Sequence, residues 1–366
     1  RGPARRTARP ALPLGVLPWV VEGFGLVPNL LAMLGPLGFF VAGGICSSLS
    51  HLLATPLDVI KTQQQAARSC EAFGPPGCEK PKSESMAQVA VRLVREGGAG
   101  SLLQGAGPTF FGYFFHGALK YGLFEIWKGL FNVAAAAGPA RAALLCACAF
   151  LAELLATLVL CPAEAARIRL VTDPDYADRT LQSMDRLARA RKKTGRLHIR
   201  PLLTVKMWAA LRKLRREEGL KEGWFGALVP LLMKQCLYTV AKLVTYDVLT
   251  AALNPIIWLW NPILARAIAA LVAATAAAIA SQPADTVFTC CSTDGGECPI
   301  PEDIDDEIYL RSADEMENAS IWKRMYETAR VLGWRGLFLG WQARICQMAF
   351  IVMMQLLIYD AIRPAI

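Results

Sequence analysis

The sequence predicts an all-α membrane protein: six transmembrane helices in three pseudo-repeats, with short surface helices in the long loops. Three observations carry that expectation. Of 366 residues, 54% are hydrophobic and 19% charged, with mean hydropathy +0.34, too apolar for an ordinary soluble domain. The stretch Thr55-Pro56-Leu57-Asp58-Val59-Ile60-Lys61 closes an apolar run and recurs twice, as Cys161-Pro162-Ala163-Glu164-Ala165-Ala166-Arg167 and as Gln282-Pro283-Ala284-Asp285-Thr286-Val287-Phe288. Long polar loops alternate with very short ones, which puts all the long loops on one side of the membrane and both termini on the other.

In chain order, residues 1–35 are Pro- and Gly-rich and form an extension. Arg1, Arg5, Arg6 and Arg9 precede its first acid, Glu22, which fits either the remnant of an organellar targeting peptide or a disordered basic arm. The first apolar helix runs from about Pro36 to Gln65. Apolar residues at 86, 89, 90, 93 and 94 then mark a short amphipathic helix, stopped by Glu96-Gly97-Gly98. The second long helix spans about 108–131 and ends in Phe124-Glu125-Ile126-Trp127-Lys128, and the third spans about 142–171.

The next loop is strongly basic from Arg186 to Arg200, and Leu203 to Arg216 reads as a second amphipathic helix. Long helix four (about 230–253) ends in Tyr246-Asp247-Val248-Leu249-Thr250, and helix five covers 262–290. An acidic stretch, Asp294 to Glu317, holds ten acids and only Arg311; without the glycine of a calcium loop it is a solvated insertion. Ile321 to Leu332 is a third amphipathic helix, and helix six (about 341–363) ends in Tyr359-Asp360-Ala361-Ile362-Arg363. The units are therefore 1–35, 36–135, 136–255 with a basic insertion at 179–202, and 256–366 with an acidic insertion at 293–318. All six long helices are expected to reach across a bilayer.

A net charge of +9 in so apolar a chain points to basic loops on one membrane face. Nucleic-acid binding would need a basic patch interleaved with aromatics, which is missing from the sequence. The eleven cysteines show no C-x-x-C spacing and no nearby histidine, so neither a metal site nor a cofactor is expected. There is no nucleophile elbow, P-loop or metal-ligand cluster to suggest an enzyme.

The proline motifs place an acid two residues after proline and, twice, a base three residues after the acid. On a helix those two charges share a face. In lipid they are costly unless they face protein or a water-filled cavity. Lys120, Lys234, Lys242 and Arg344 are bases inside or at the edges of the even helices. Lys234 and Lys242, eight residues apart, share one stripe. A cavity-facing role competes, for Lys234 and Arg344, with snorkelling to the membrane face. Gln235, Thr109, Tyr113 and Gln355 would add hydrogen bonds. His51, Glu153 and Glu164 are candidates for proton coupling, since an unpartnered carboxylate in low dielectric is pushed towards protonation; a satisfied core histidine is the rival for His51.

The three P-x-[DE]-x-x-[KR] copies and the [FY]-[DE]-x-x-[RK] endings of the even helices resemble the mitochondrial carrier family over about residues 36–363. Ser50-His51, Gly107-Pro108-Thr109-Phe110-Phe111-Gly112-Tyr113, Ala152-Glu153 and Lys234-Gln235 look most like its phosphate carriers, whose third motif also lacks its base, as Phe288 does here. Thr157 stands where those carriers usually have an acid, Gln282 where they have histidine, and His116 where they have glutamine.

The resemblance implies a monomer in the mitochondrial inner membrane, with a plastid envelope as the alternative, associated with lipid such as cardiolipin. It implies alternating access that moves phosphate with protons. A matrix gate would use Pro56, Asp58, Lys61, Pro162, Glu164, Arg167, Pro283 and Asp285, with Asp58 pairing Arg167, Asp285 pairing Lys61, and Glu164 left unpartnered. A cytoplasmic gate would use Glu125, Lys128, Asp247, Asp360 and Arg363, pairing Asp247 with Arg363 and Asp360 with Lys128 and leaving Glu125 alone. Another small anion, a metal complex or a non-transporting scaffold remain alternative roles on the same fold; a separate rival to the gates is that the motif charges only anchor helix ends.

Overall fold

The structure, a computed structural model, describes residues 36–66, 84–136, 138–173, 176, 202–257, 262–292 and 320–362. The N-terminal extension, the acidic insertion and nearly all of the basic insertion lie outside the described residues. Six long helices carry the fold: α1 (Pro36–Ala66), α3 (Ala106–Leu130), α4 (Gly138–Thr172), α7 (Leu228–Ile257), α8 (Pro262–Ser292) and α10 (Trp341–Ile362). Between them lie shorter ones: α2 (Met86–Gly97), α5 (Leu202–Glu217), α6 (Lys221–Phe225) and α9 (Ile321–Leu337). Among the described residues there is no strand.

Each long helix packs on the next, and α10 packs back on α1, so the six form a closed ring. The odd helices α1, α4 and α8 also touch one another across the ring. Polarity is inverted relative to a soluble protein. Phe115, Phe150, Leu155, Val159, Leu237, Val244, Val272 and Met353 are exposed on the outside, while Asp58, Lys61, Glu153, Glu164, Arg167, Gln282, Asp285 and Arg344 are buried. That distribution suits lipid outside and polar groups inside. Small residues let the walls close. A Cβ on Gly117 of α3 would stand 2.4 Å from the Ser47 Cβ and 2.5 Å from the Gly43 carbonyl oxygen of α1, so glycine is required for that approach.

Four stretches are long and apolar enough to cross a bilayer alone: Leu37–Ala66 of α1, Gly138–Thr172 of α4, Lys221–Tyr246 running through α6 into α7, and Ala267–Ser292 of α8. α10 qualifies only together with α9, across a 77° bend, and α3 does not qualify. At 25 and 22 residues α3 and α10 are nonetheless long enough to cross, as expected for all six long helices, and differ from the others in apolarity. α3 carries Thr109, Tyr113, His116, Lys120, Glu125 and Lys128, and these dilute its apolarity; its place between α1 and α4 makes it a wall of the same ring.

The surface helices cover the proline ends. α2 opens with a capping box: the Gln88 N–H donates to the Ser85 hydroxyl (3.4 Å) and the Ser85 N–H to the Gln88 side-chain carbonyl (2.7 Å). It buries Val89 and Leu93 on Val59 and Ile60 of α1. α5 buries Met207, Ala210, Leu211 and Leu214 on Ala166 and Leu170 of α4, and α9 holds Thr328 against Cys291 of α8. Each surface helix reaches a glycine in the left-handed region (Gly98 at φ 72°, Gly219 at 82°, Gly333 at 59°) and then resumes briefly. α9 therefore passes Leu332 and runs to Leu337 across a break at Gly333.

Candidate functional site

Pro56, Pro162 and Pro283 each lie inside an unbroken helix. The charges after them form one continuous buried network. Asp58 pairs with Arg167 of α4 and accepts a hydrogen bond from the Gln347 side-chain amide of α10 at 2.9 Å. Arg167 also holds Glu164 on its own helix, at 2.7 Å from Nη2 and 3.1 Å from Nε. Lys61 lies 3.8 Å from Asp58 and 2.8 Å from Asp285. Asp285, with no exposed surface, further meets Lys234 of α7 at 3.0 Å and Arg344 of α10 at 2.5 Å. Gln65 braces the join: its amide donates to Asp285 at 3.1 Å and its carbonyl accepts from Thr289 at 2.9 Å. Arg344 in turn donates to the Ser281 hydroxyl at 2.7 Å.

Glu164 corrects an expectation. It was to lack a partner because Phe288 removes the base from α8, but Arg167 lies one turn away on the same helix face and serves both Glu164 and Asp58. Phe288 instead packs, buried, on Cys161, Ile168 and Leu231, and the Lys234 ammonium sits 4.7 Å above its ring. Glu125 is a second correction: it pairs with Lys128 of its own helix at 2.6 Å, both side chains about one-third exposed. The side chains of Asp247 and Asp360, and all of Arg363, lie outside the described residues. Lys234 and Arg344 do not snorkel; both are buried against Asp285.

A second cluster lies between α3, α4 and α7. The buried Glu153 carboxylate takes Lys120 at 2.6 Å, His116 at 2.8 Å and the Thr239 hydroxyl at 3.1 Å. Of these, Lys120 keeps a quarter of its side chain exposed. His51 stacks on the Tyr113 ring, centroids 3.5 Å apart and planes 9° apart. Thr109 spends its hydroxyl on the Gly105 carbonyl at 2.8 Å. Gln235 and Gln355 are half-buried, and the Gln355 backbone carbonyl faces the Cys46 thiol at 3.7 Å. Lys242 is half-buried, 5.7 Å from the Tyr238 ring and within electrostatic reach of Cys46 on α1, across the ring. Among the described residues Lys242 has no carboxylate partner.

Sequence reasoning missed Gln65, Thr239, Ser281 and Gln347 altogether and named His116 only as a substitution. Helical spacing offered a signal for three of them: Gln65 stands four after Lys61, Gln347 three after Arg344, and His116 four before Lys120. No group of acids, cysteines and histidines suited to a metal ion occurs among the described residues.

The six-helix ring closes with its three proline-linked charge motifs converging at one end. The family model described as mitochondrial carrier protein matches residues 33–134, 139–255 and 259–366. The chain belongs to the mitochondrial carrier family. A mitochondrial substrate carrier family protein N of Dictyostelium discoideum is 30% identical over 353 residues, 92% of this chain and 95% of its own length. The solute carrier family 25 member 3 of Bos taurus is 27% identical, covering 88% of this chain and 74% of its own length. A probable mitochondrial phosphate carrier protein of Schizosaccharomyces pombe is 26% identical, with 89% of each chain covered. This mitochondrial carrier is a transporter, not an enzyme.

Proposed function

We propose that this carrier moves inorganic phosphate across the mitochondrial inner membrane by alternating access, coupled to protons as phosphate/H+ symport or its equivalent, phosphate/OH− antiport. The observation that carries it is a surplus of fixed positive charge inside the ring. Among the described residues, the acids Asp58, Glu153, Glu164 and Asp285 are outnumbered inside the ring by the bases Lys61, Lys120, Arg167, Lys234, Lys242 and Arg344. Two bases are in excess, and Lys242 has no carboxylate of its own. An oxyanion needs such donors wherever water is thin. A cationic cargo would be opposed by the same field.

Each unit (36–135, 136–255, 256–366) supplies one odd and one even helix. The proline-motif network acts as the matrix gate, in its closed form. Glu125, Lys128, Asp247, Asp360 and Arg363 act as the cytoplasmic gate. Phosphate is held by Lys242 with Lys120, Tyr113, Thr109, Gln235 and Gln355, then competes with the Asp285 carboxylate for Lys234 and Arg344. Because a buried ion pair returns little net energy after desolvation, an anion that replaces the carboxylate can release the gate at modest cost. His51, Glu153 and Glu164 line the route proposed for the proton. The protein works as a monomer in lipid that includes cardiolipin.

The test is uptake of labelled phosphate into liposomes holding the purified protein, with and without an inside-alkaline pH gradient, against competing anions. Saturable uptake that the gradient stimulates and unlabelled phosphate suppresses most strongly is the expected result. Uptake blocked equally by any small anion, or none at all, would overturn the phosphate assignment.

A further inference from the structure

Glu153 is a carboxylate with no exposed surface that answers to two nitrogen groups of one helix. His116 and Lys120 stand one turn apart on α3 and so share a face. His116 Nε2 lies 2.8 Å from one Glu153 oxygen, Lys120 Nζ 2.6 Å from the other, and the Thr239 hydroxyl of α7 donates to that second oxygen at 3.1 Å. With a neutral imidazole the cluster carries no net charge. An ionised carboxylate only accepts, so the neutral ring presents Nε2–H to Glu153 and keeps its Nδ1 lone pair free.

We propose that His116 is the protonation switch of the transport cycle, and that protonating it releases Lys120 to bind the anion. This rests on the proton-coupled phosphate transport proposed above and names the group that does the coupling. A proton from water binds Nδ1. The imidazolium then satisfies the Glu153 carboxylate through Nε2–H, and the Lys120 ammonium, already one-quarter exposed, turns to the cargo. The cluster now carries one uncompensated positive charge in a poorly hydrated interior, a costly state that a bound anion relieves. Proton and anion therefore favour each other's binding by the same factor. On the far side the anion leaves, Nδ1 returns its proton to water, and Lys120 closes again on Glu153; one proton crosses with each anion.

The surroundings of His116 leave it this role. From α1 it faces His51. From its own helix it faces Lys120 and the edge of the Tyr113 ring, 5.9 Å away. α4 contributes Glu153 as its acid. One turn on, α4 carries Thr157 instead of a second acid, its buried hydroxyl without a hydrogen-bond partner among the described residues. α5 meets α3 at Phe111, more than a turn from His116.

The test is the H116Q variant in liposomes loaded for phosphate uptake. Glutamine keeps a hydrogen bond to Glu153 but takes up no proton. The expected result is loss of the pH-gradient stimulation, with phosphate/phosphate exchange weakened, because Lys120 stays on Glu153, and its remaining rate no longer varying with pH as the wild-type rate does, a flattened profile that a merely structural role for His116 would not produce. Stimulation equal to wild type would overturn the proposal while leaving phosphate transport intact. Wild-type protein that takes up no phosphate under either condition would overturn the transport assignment, and this inference with it. Should H116Q not reconstitute, the H51Q/H198Q variant with 15N-labelled histidine leaves His116 as the one labelled ring, followed by its Nδ1 signal. That signal should move towards imidazolium when inorganic phosphate is added at fixed pH, and an unmoved signal overturns the proposal.

Discussion

Replacing Asp285 by asparagine removes one negative charge and almost no volume. That carboxylate faces Lys61, Lys234 and Arg344 at 2.5–3.0 Å with no exposed surface. The remaining acids of the network, Asp58 and Glu164, both lie on Arg167, and Asp58 alone of the two also approaches Lys61, at 3.8 Å. Three buried cations would therefore lose their common anion. Removing one partner of a buried pair costs about 3–5 kcal/mol. For a chain of this size that corresponds to a fall in melting temperature on the order of 4–7 °C. The control is Glu125→Gln, which breaks a one-third exposed pair with Lys128 and should cost no more than about 1 kcal/mol. Thermal unfolding in detergent with a thiol-reactive fluorophore suits the chain, because Cys161, Cys290 and Cys291 are buried beside the network and become reactive as it opens. If Asp285→Asn melts within the spread of Glu125→Gln, the network does not hold the proline end shut and the reasoning fails.

Two further substitutions probe the walls. Gly117→Val should lower stability by about 1–3 kcal/mol, seen in the same melting assay, because its side chain collides with Ser47 and the Gly43 backbone of α1. Phe288→Ala should cost about 3–5 kcal/mol by emptying the contact with Cys161, Ile168 and Leu231; a change below about 1 kcal/mol would mean that Phe288 fills no essential space.

Much of the architecture was legible because it is local. The apolar period and the glycine stops place the helix ends of α2 and α5 within about two residues, the ordinary scatter of such boundaries. What was missed lies beyond local pattern. The short helices after Gly98, Gly219 and Gly333 are too brief to show a period. At the site, the repeat announced Asp58, Lys61, Arg167 and Asp285, but the convergence of Lys234 and Arg344 on Asp285 depends on closing the ring, which no spacing encodes. Glu164 was misjudged because a missing base on α8 was weighed and the base one turn along α4 was not.

The most direct measurement is the initial rate of labelled phosphate uptake through Lys242→Ala beside wild type, in matched liposomes and with unfolding curves showing both proteins folded. Lys242 is the interior base that the described residues leave without a carboxylate, so its removal should bring uptake down to the protein-free background while the melting curve stays put. Uptake at the wild-type rate would contradict an oxyanion path built on surplus lysine charge.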